Sequence, residues 1–467
     1  MSTLLALSAA AHHGHDVPMS TTLLFAAVLV ALILSLALEE TIHAKKSLIV
    51  GVFAVISLLL GAAMGLLPFG PVTNVFGEEL NLPVYIPAID WGVIAIILGS
   101  SLFVDVTSRS GLFTWIAIKL TKMSGGDPLR LLWLYGAMTV VFSAVLNNVT
   151  AMIIVGSLTA VSLDKLGRRE KLLAFLLVEG LLTNVGGLLT LISSVPNIIV
   201  GTAAGISFVK FFVVAAPYVL VATVLTLWLG AKWNGITPLV TDEEKEEAEG
   251  LVQGFDERDG IESEGFLWFA GAMTVLFIVV IATTSVLPWV SELGMGFVAL
   301  SFAVIMLIRY KSEVDRFYDA VDWDLLGFFA GLFVVINVME HAQVLGLIGS
   351  GLEKVIGLGD VAGTGVLLIA SAVFSSVTDN IPLAAMLAKI LGGLGTASDS
   401  SLWWSVVFGA NLGGNITPIG SASTLVAVTI MHKHKLDMSF VGFVKRASPY
   451  ALAQLVLATA YVLVFLR

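Results

Sequence analysis

Long apolar runs dominate this chain, several of them close to 20 residues and bounded by charged residues, proline or glycine. A helix of about 20 apolar residues is long enough to cross the roughly 30 Å hydrocarbon core of a bilayer. Only 12% of the 467 residues are charged and 57% are hydrophobic, whereas a water-soluble domain carries about 25% charged residues. The chain is therefore predicted to be an all-α polytopic membrane protein, multi-pass in the plasma (inner) membrane.

Ten runs read as membrane spans, at about residues 20–37, 47–67, 90–106, 172–200, 207–230, 266–286, 294–308, 322–340, 402–430 and 447–466. Two further stretches, 129–163 and 362–390, are interrupted by Asn147-Asn148-Val149-Thr150 and by Thr378-Asp379-Asn380-Ile381-Pro382. Basic residues flank the first stretch on both sides, which places both of its ends in the cytoplasm. Arms of about 16 residues reach only ~24 Å, so we predict re-entrant hairpins, the alternative being two short complete crossings.

The one long hydrophilic stretch divides the chain into halves. It holds 11 of the 34 acidic residues, between Asp242 and Glu264, so the net charge of −10 does not indicate a nucleic-acid partner. The predicted organisation is an N-terminal tail (1–19), a first transmembrane repeat (20–230), a solvated acidic cytoplasmic linker (231–265) and a second transmembrane repeat (266–467).

The two halves repeat each other in residues that lipid does not select. At an offset of 232, Asn148 recurs as Asn380; at an offset of 227, Asn184-Val-Gly-Gly recurs as Asn411-Leu-Gly-Gly. Further matches at 232 are Ile89-Asp90-Trp91 with Val321-Asp322-Trp323, Ser207-Phe208-Val209 with Ser439-Phe440-Val441, and Pro217-Tyr218 with Pro449-Tyr450. Five spans and one hairpin in each half predict repeats of inverted topology, an architecture typical of secondary transporters.

Each half also contains a polar interruption that predicts a broken helix. Non-helical backbone at membrane depth needs protein or a watery cavity around it, and a half-helix then directs free N–H groups at an anion or free carbonyls at a cation. Isolated Ser and Thr residues often only bond to their own helix, whereas Asn and Asp at the breaks favour a binding site. The candidate substrate and ion site comprises Asn147, Asn148, Thr150, Asn184, Thr190, Ser193, Ser194, Asn197, Thr378, Asp379, Asn380, Asn411, Asn415, Thr417, Ser421, Ser423 and Thr424.

Three carboxylates lie at predicted membrane depth, where they are costly unless paired, protonated or hydrated. Asp379, at a hairpin tip, is the candidate proton or cation site, and Glu179 is a candidate for proton coupling. Asp105 lies close to Arg109, which favours an interfacial ion pair. His12, His13 and His15 in the N-terminal tail resemble a metal-binding cluster, although such a cluster on a terminus is more often incidental.

Other chemistries are disfavoured. The chain has no cysteine, which excludes disulfides and thiolate metal sites. No zinc-protease His-Glu-x-x-His, no Gly-x-Ser-x-Gly elbow and no suitably spaced pair of aspartates occurs, so an intramembrane enzyme is not expected. A passive channel is disfavoured because no repeated pore-lining charge is present. We expect no metal and no organic cofactor, only Na⁺ or H⁺ as coupling ion.

From about residue 20 onward, the chain resembles the ion transporter superfamily of citrate permeases, ArsB-type arsenite exporters, NhaD sodium/proton antiporters and the P protein. The motifs that carry the resemblance are Leu146-Asn147-Asn148-Val149-Thr150, Thr183-Asn184-Val185-Gly186-Gly187, Pro196-Asn197-Ile198-Ile199-Val200-Gly201, Thr378-Asp379-Asn380-Ile381-Pro382, and Asn411-Leu412-Gly413-Gly414 leading to Ile419-Gly420-Ser421. The resemblance implies a substrate and ion site at the hairpin tips and unwound helices, and a transport domain that moves against a scaffold which often forms a homodimer.

Two departures refine the expected function. The antiporter and P-protein branch has Asp-Asn at the first hairpin tip and an acidic residue near the first unwound segment, where this chain has Asn147 and Ser193-Ser194. Loss of two acids favours a secondary active transporter of a small anion or oxyanion, citrate-, dicarboxylate- or arsenite-like, coupled to Na⁺ or H⁺ by alternating access. The alternative is a Na⁺/H⁺ antiporter of the NhaD type.

Overall fold

A computed structural model describes residues 17–74 and 76–466. The tail histidines His12, His13 and His15 lie outside the described residues. The structure is almost wholly helical, with one short antiparallel hairpin of β1 (Val72–Thr73) and β2 (Glu79–Leu80). The predicted all-α polytopic fold is thus confirmed.

Ten α-helices precede the linker: α1 (Met19–Ala37), α2 (Glu39–Ile42), α3 (Lys46–Ala63), α4 (Trp91–Arg109), α5 (Leu112–Ser124), α6 (Pro128–Val145), α7 (Asn148–Lys165), α8 (Leu172–Gly186), α9 (Val195–Ala204) and α10 (Phe208–Trp233). The linker holds α11 (Asp242–Gln253). Ten more follow: α12 (Glu264–Thr283), α13 (Val290–Leu307), α14 (Val314–Ala320), α15 (Trp323–His341), α16 (Val344–Ile356), α17 (Asp360–Val377), α18 (Asn380–Gly393), α19 (Ser401–Gly413), α20 (Ala422–Lys433) and α21 (Phe440–Phe465). Two 3₁₀ turns cover Arg169–Lys171 and Ile308–Tyr310.

Four pairs of these helices begin and end at equivalent residues of the two halves. Helices α4, α5, α6 and α10 recur as α15, α16, α17 and α21. In each pair the first positions differ by 232, and so do the last positions. The internal repeat read from the sequence therefore extends to the helix bounds. The opposed orientation of the two repeats stays a prediction.

Eight of the ten predicted spans are continuous helices that are long and apolar enough to cross a membrane. The other two, 172–200 and 402–430, are each split into two shorter helices, as expected of broken helices. Helices α6 and α17 complete the set of ten described helices with membrane-spanning length and hydropathy. At 18 residues each, or about 27 Å, they are longer than the arms of about 16 residues expected for a hairpin, so the re-entrant path also stays a prediction.

The chain forms two compact units, each built from parts of both halves. One contains the described residues up to Asp90 together with 327–352, and the other contains 91–326 together with 353–466. In the first unit α1 packs on α3, and a Cβ at Gly331 would lie 2.9 Å from the Val50 side chain. In the second unit α4 packs along α13, where a Cβ at Gly99 would lie 2.5 Å from the Ala299 backbone. All candidate site residues belong to the second unit.

The acidic linker contains a folded helix, which the sequence analysis did not predict, and the charged residues of that helix are exposed. Helix α11 begins with a capping box in which the Thr241 hydroxyl and the Glu244 carboxylate bond each other's backbone N–H groups. Ala248, Val252 and Phe255 are buried, and this apolar stripe at helical spacing explains why one face of the segment packs while the other residues of α11 stay exposed. The backbone N–H of Leu239 also donates to Asp127 Oδ2 (2.8 Å).

Candidate functional site

Two broken helices lie at the centre of the second unit. The first consists of α8 and α9 with residues 187–194 unwound between them, and the second of α19 and α20 with residues 414–421 unwound. Close backbone approach explains the glycines before each break. A Cβ at Gly186 would lie 2.7 Å from the Val140 carbonyl oxygen, and one at Gly413 would overlap the equivalent oxygen of Ala372. The backbones of α6 and α17 therefore lie directly against the two helix breaks.

Hydrogen bonds cross between the two broken helices in equivalent pairs. The Ser194 hydroxyl donates to Asn411 Oδ1 (2.7 Å), and the Ser421 hydroxyl donates to Asn184 Oδ1 (3.0 Å). Asn184 and Ser194 become Asn411 and Ser421 when 227 is added, so each half gives one asparagine and one serine to the other. We call these four residues, with Asn148, Asn197, Asn415 and Ser423, the polar centre.

Asn184 makes four side-chain hydrogen bonds within the polar centre and is fully buried. Its Oδ1 accepts from Asn148 Nδ2 (3.2 Å), Ser421 Oγ (3.0 Å) and Ser423 Oγ (3.0 Å), and its Nδ2 donates to Asn415 Oδ1 (2.8 Å). The side chain thus joins the tip of the first hairpin, its own helix break and the break of the other half.

Asn197 and Thr424 occupy equivalent positions and brace the two unwound segments. Asn197 Nδ2 donates to the carbonyl oxygens of Gly187 (2.6 Å) and Thr190 (2.9 Å), and its Oδ1 accepts from Asn411 Nδ2 (2.9 Å). Thr424 Oγ1 lies 3.3 and 3.4 Å from the equivalent carbonyl oxygens of Gly414 and Thr417, but its single hydroxyl hydrogen has a shorter acceptor in Ser421 O (2.7 Å). Ser193 Oγ also donates to Gly187 O (2.6 Å). These bonds satisfy carbonyls that the broken helix leaves free.

Each unwound segment is also tied to the first helix of its own hairpin. Thr190 Oγ1 donates to Ala144 O (2.6 Å), and Thr417 Oγ1 donates to the equivalent Ser376 O (2.5 Å). A second pair of bonds links Ser143 Oγ to Thr183 O (2.6 Å) and Ser375 Oγ to Ala410 O (2.5 Å). The repeat therefore extends from helix bounds to individual hydrogen bonds.

The remaining tip residues have local roles. The Asn147 side-chain oxygen Oδ1 accepts from the Thr150 backbone N–H (2.8 Å), and the Asp379 carboxylate accepts from the Ile381 N–H (3.1 Å), so both cap the helix that follows. Thr378 Oγ1 donates to Phe374 O one turn earlier (2.8 Å), and Asn380 is buried at the start of α18. A role for these five residues in binding stays a prediction.

Gln454 belongs to the buried network although the sequence reading did not include it. Its Oε1 accepts from Asn415 Nδ2 (2.8 Å) and its Nε2 donates to Thr226 Oγ1 (2.8 Å). The side chain is 1% exposed. A lone glutamine within the apolar helix α21 was the signal that was overlooked, because such a residue needs a polar partner in the membrane interior.

The two other intramembrane carboxylates differ in their surroundings. Asp105 Oδ2 lies 3.8 Å from Arg109 Nε, as expected for an ion pair. Glu179 is fully buried, its Oε1 accepts a hydrogen bond from Thr159 Oγ1 (2.7 Å), and its Oε2 has no hydrogen-bond partner in the described part of the chain. Among the described residues, no three His, Asp or Glu side chains are grouped so as to hold a metal ion.

A family model described as CitMHS, citrate transporter, matches residues 48–409. The chain belongs to this family. An uncharacterized transporter of Mycobacterium tuberculosis is 31% identical over 379 residues, which cover 80% of this chain and 86% of that protein. The human P protein is 24% identical over 492 residues, which cover 88% of this chain but only 58% of the P protein.

The fold is shared with a solved structure. The YdaH transporter of Alcanivorax borkumensis, described as having an unusual topology, superimposes with a TM-score of 0.61 over 90% of this chain and 98% of that chain, at 13% identity. The family resemblance that the Asn-Val-Gly-Gly, Asn-Leu-Gly-Gly and Asn-Asn-Val-Thr motifs indicated is confirmed by the family model and the relatives together with this shared fold. This member of the citrate transporter family is a multi-pass transporter of the plasma membrane.

Proposed function

We propose that this chain is a secondary active transporter of a small anion or oxyanion, citrate-, dicarboxylate- or arsenite-like, coupled to Na⁺ or H⁺ by alternating access. The observation that carries the proposal is the crossed pair of bonds Ser194–Asn411 and Ser421–Asn184 between two helix breaks. Membership of the citrate transporter family favours a carboxylate as substrate.

An anionic substrate fits the way the second halves of the broken helices begin. Ser194 and Ser421 stand at the N-cap positions of α9 and α20, yet neither serine caps its own helix. Their hydroxyls bond Asn411 and Asn184 instead, so the first-turn N–H groups have no side-chain cap. Helix N-termini with free N–H groups attract anions. The start of α20 provides three first-turn N–H groups, at Ala422, Ser423 and Thr424, whereas the start of α9 provides only that of Val195, because Pro196 has no N–H and the Asn197 N–H bonds Ser194 O.

Alternating access is consistent with the hydrogen bonds of the polar centre, which involve uncharged groups and are repeated in the two halves. The bonds of the polar centre that join the halves involve only amides and hydroxyls, each worth about 0.6 kcal/mol within a membrane protein, so exchanging them between two states is inexpensive. Thr190 and Thr417 tie each unwound segment to its own hairpin. Hairpin and unwound segment therefore move together in this proposal. A homodimeric scaffold, which the resemblance implies, belongs to the proposal and is tested by the particle mass in native lipid discs.

The test is uptake of labelled citrate, succinate and arsenite into proteoliposomes with imposed Na⁺ or H⁺ gradients. We expect accumulation of at least one of them against its gradient. Asn411→Ala, which removes bonds to Ser194 and Asn197, is expected to lower uptake roughly tenfold, the factor that corresponds to about 1.4 kcal/mol. The matched control is Asn234→Ala, because Asn234 bonds Gly230 O and the Tyr450 hydroxyl instead.

Three outcomes would contradict the proposal. Uptake that is unaffected when both gradients are collapsed removes the coupling. Flux that never accumulates a solute indicates a channel. Na⁺-driven alkalinisation of the vesicle lumen that Asp379→Asn abolishes, without flux of any of the three anions, indicates the Na⁺/H⁺ antiporter.

A further inference from the structure

Glu179 lies in α8 five residues before Asn184, about 7.5 Å along the helix axis. It is fully buried, forms no ion pair in the described part of the chain, and leaves Oε2 without a hydrogen-bond partner. A buried charge without a partner is costly, and a carboxyl group in that position binds a proton instead. The side chain is therefore a proton-holding group one turn from the polar centre.

Hydroxyl groups lead from Glu179 toward the acidic linker. Thr159 Oγ1 donates to Glu179 Oε1 (2.7 Å), and Ser162 follows Thr159 by three residues on the same face of α7. Ser162 Oγ lies 2.7 Å from the Tyr135 hydroxyl, which lies 2.8 Å from Thr121 Oγ1. All four hydroxyl-bearing side chains are at most 5% exposed.

The outer end of this series, Thr121, is 0% exposed, but residues close to the series along the chain reach the surface beneath the folded linker. Lys165 follows Ser162 by three residues and pairs with Asp259 of the linker (3.8 Å). Lys122 follows Thr121 directly and bonds Glu257 of the linker (3.2 Å). Both lysines are about one-third to one-half exposed, with side-chain values of 46% and 34%. Lys165 follows Thr159 by six positions, a rise of about 9 Å along α7. Glu179, which Thr159 contacts, therefore lies about 9 Å beneath the hydrated surface at Lys165.

We propose that Glu179 carries the coupling proton and that Thr159, Ser162, Tyr135 and Thr121 conduct it to and from the linker side. That this proton is coupled to transport rests on the function proposed above, whereas the route of the proton does not depend on that function. It narrows the coupling ion from Na⁺ or H⁺ to H⁺.

The hydrogen bond from Thr159 to Glu179 is oriented for proton uptake. The Thr159 O–H bond breaks as its proton passes to the Glu179 carboxylate, and Thr159 takes a proton from the Ser162 side. Each further hydroxyl gives one proton and receives one, and bulk water at the linker side supplies the last. Between Thr159 and Ser162 the transfer requires a rotation of one hydroxyl side chain or a single intervening water molecule.

The decisive experiment is infrared spectroscopy of the full-length protein in lipid nanodiscs, transferred from H₂O to D₂O. Wild-type protein should show the C=O stretch of a protonated carboxyl that shifts on deuteration, and Glu179→Gln should lack it. Ser162→Ala, which interrupts the series, should slow the shift about tenfold or more, equivalent to about 1.4 kcal/mol on the barrier. The control is Ser405→Ala, another buried serine, whose hydroxyl bonds only Thr364 O.

A band that persists in Glu179→Gln refutes the protonated state, and unchanged exchange in Ser162→Ala refutes the route. A second measurement tests the coupling, namely citrate-driven proton entry into vesicles compared with citrate exchange in the same vesicles. In Glu179→Gln the ratio of proton entry to exchange should fall, whereas a variant that merely misfolds loses both in proportion. Absence of flux of citrate, succinate and arsenite in the wild type would contradict the transport proposal while leaving the infrared result intact.

Discussion

Replacing Asn184 by alanine is the sharpest test of the polar centre, because this one side chain connects four partners. The substitution removes the acceptor for Asn148, Ser421 and Ser423 and the donor to Asn415. Asn184 is 0% exposed and its partners Asn415, Ser421 and Ser423 are buried, so these three gain no water in its place, whereas Asn148 is partly exposed. The loss should therefore appear as reduced stability and not only as reduced transport.

The expected loss follows from the number of bonds. Side-chain hydrogen bonds average about 0.6 kcal/mol in a membrane protein and about 1 kcal/mol in soluble proteins. Four bonds therefore give roughly 2–4 kcal/mol for Asn184→Ala. Ser423→Ala removes one bond to Asn184. The Ser421 hydroxyl, 2.8 Å from that of Ser423, keeps its own bond to Asn184. This variant should therefore lose only about 0.5–1 kcal/mol.

The measurement is reversible unfolding in mixed micelles of a mild detergent and SDS, followed by tryptophan fluorescence. Asn234→Ala is the control for loss of an asparagine away from the centre. A cycle that combines Asn184→Ala with Asn415→Ala should show a coupling of about 0.6 kcal/mol or more. If Asn184→Ala destabilises the protein no more than Ser423→Ala, the four bonds do not act together and the description of the centre is wrong.

Three further predictions concern the frame around the centre. Gly186→Ala and Gly413→Ala should each destabilise the protein by about 1–3 kcal/mol through overpacking in the same unfolding assay, whereas Gly392→Ala, with nothing within 4 Å of the added Cβ, should not. Thr190→Val and Thr417→Val each lose one bond to a hairpin carbonyl, and Thr417→Val also loses the bond that Thr417 Oγ1 accepts from the Gly420 N–H, so Thr417→Val should cost about 0.6 kcal/mol more; a larger cost for Thr190→Val would contradict this description of the two halves. The hydrogen bond from Lys122 lowers the pKa of Glu257 below its usual 4.5, so linker docking should be intact above that value and weaken as pH falls through the folded pKa. Hydrogen exchange of residues 255–262, corrected for the intrinsic rate, should therefore rise on acidification in the wild type but not in Glu257→Gln.

The breaks were predictable because the residues there are ones that lipid disfavours. Asn184-Val-Gly-Gly and Asn411-Leu-Gly-Gly have poor helix propensity, and they coincide with the ends of α8 and α19. The crossed bonds were not predictable. An offset of 227 shows that Ser194 and Ser421 are equivalent, but it does not show that each serine faces the asparagine of the other half. That pairing depends on how the helices pack.

Missed elements have other physical causes. Helices α5 and α16 have 13 residues each, too short and too amphipathic to stand out as spans. The linker was read from its charge, yet Thr241 and Glu244 form a capping box and Ala248 with Val252 and Phe255 forms an apolar stripe. The high charge of the linker outweighed this pattern in the sequence analysis, although a capping box followed by an apolar stripe is typical of a packed helix.

The few polar residues without an equivalent in the other half are concentrated around one of the two breaks. Asn415 aligns with Leu188, Gln454 with Ala222, and Glu179 with Val406, while the crossed Asn–Ser bonds and the hairpin ties are repeated. Two equivalent halves by themselves give two states of equal free energy, so a preference between those states, and the ion that changes it, must come from residues that are not repeated. Asn415 bonds Asn184 directly, Gln454 bonds Asn415, and Glu179 lies on the helix of Asn184. Asn184 and Asn411 both join the halves, the first through Asn415, Ser421 and Ser423 and the second through Ser194 and Asn197. Only Asn184 shares a helix with Glu179, so in the proposed mechanism the Asn184 side is where a proton and a substrate would influence each other.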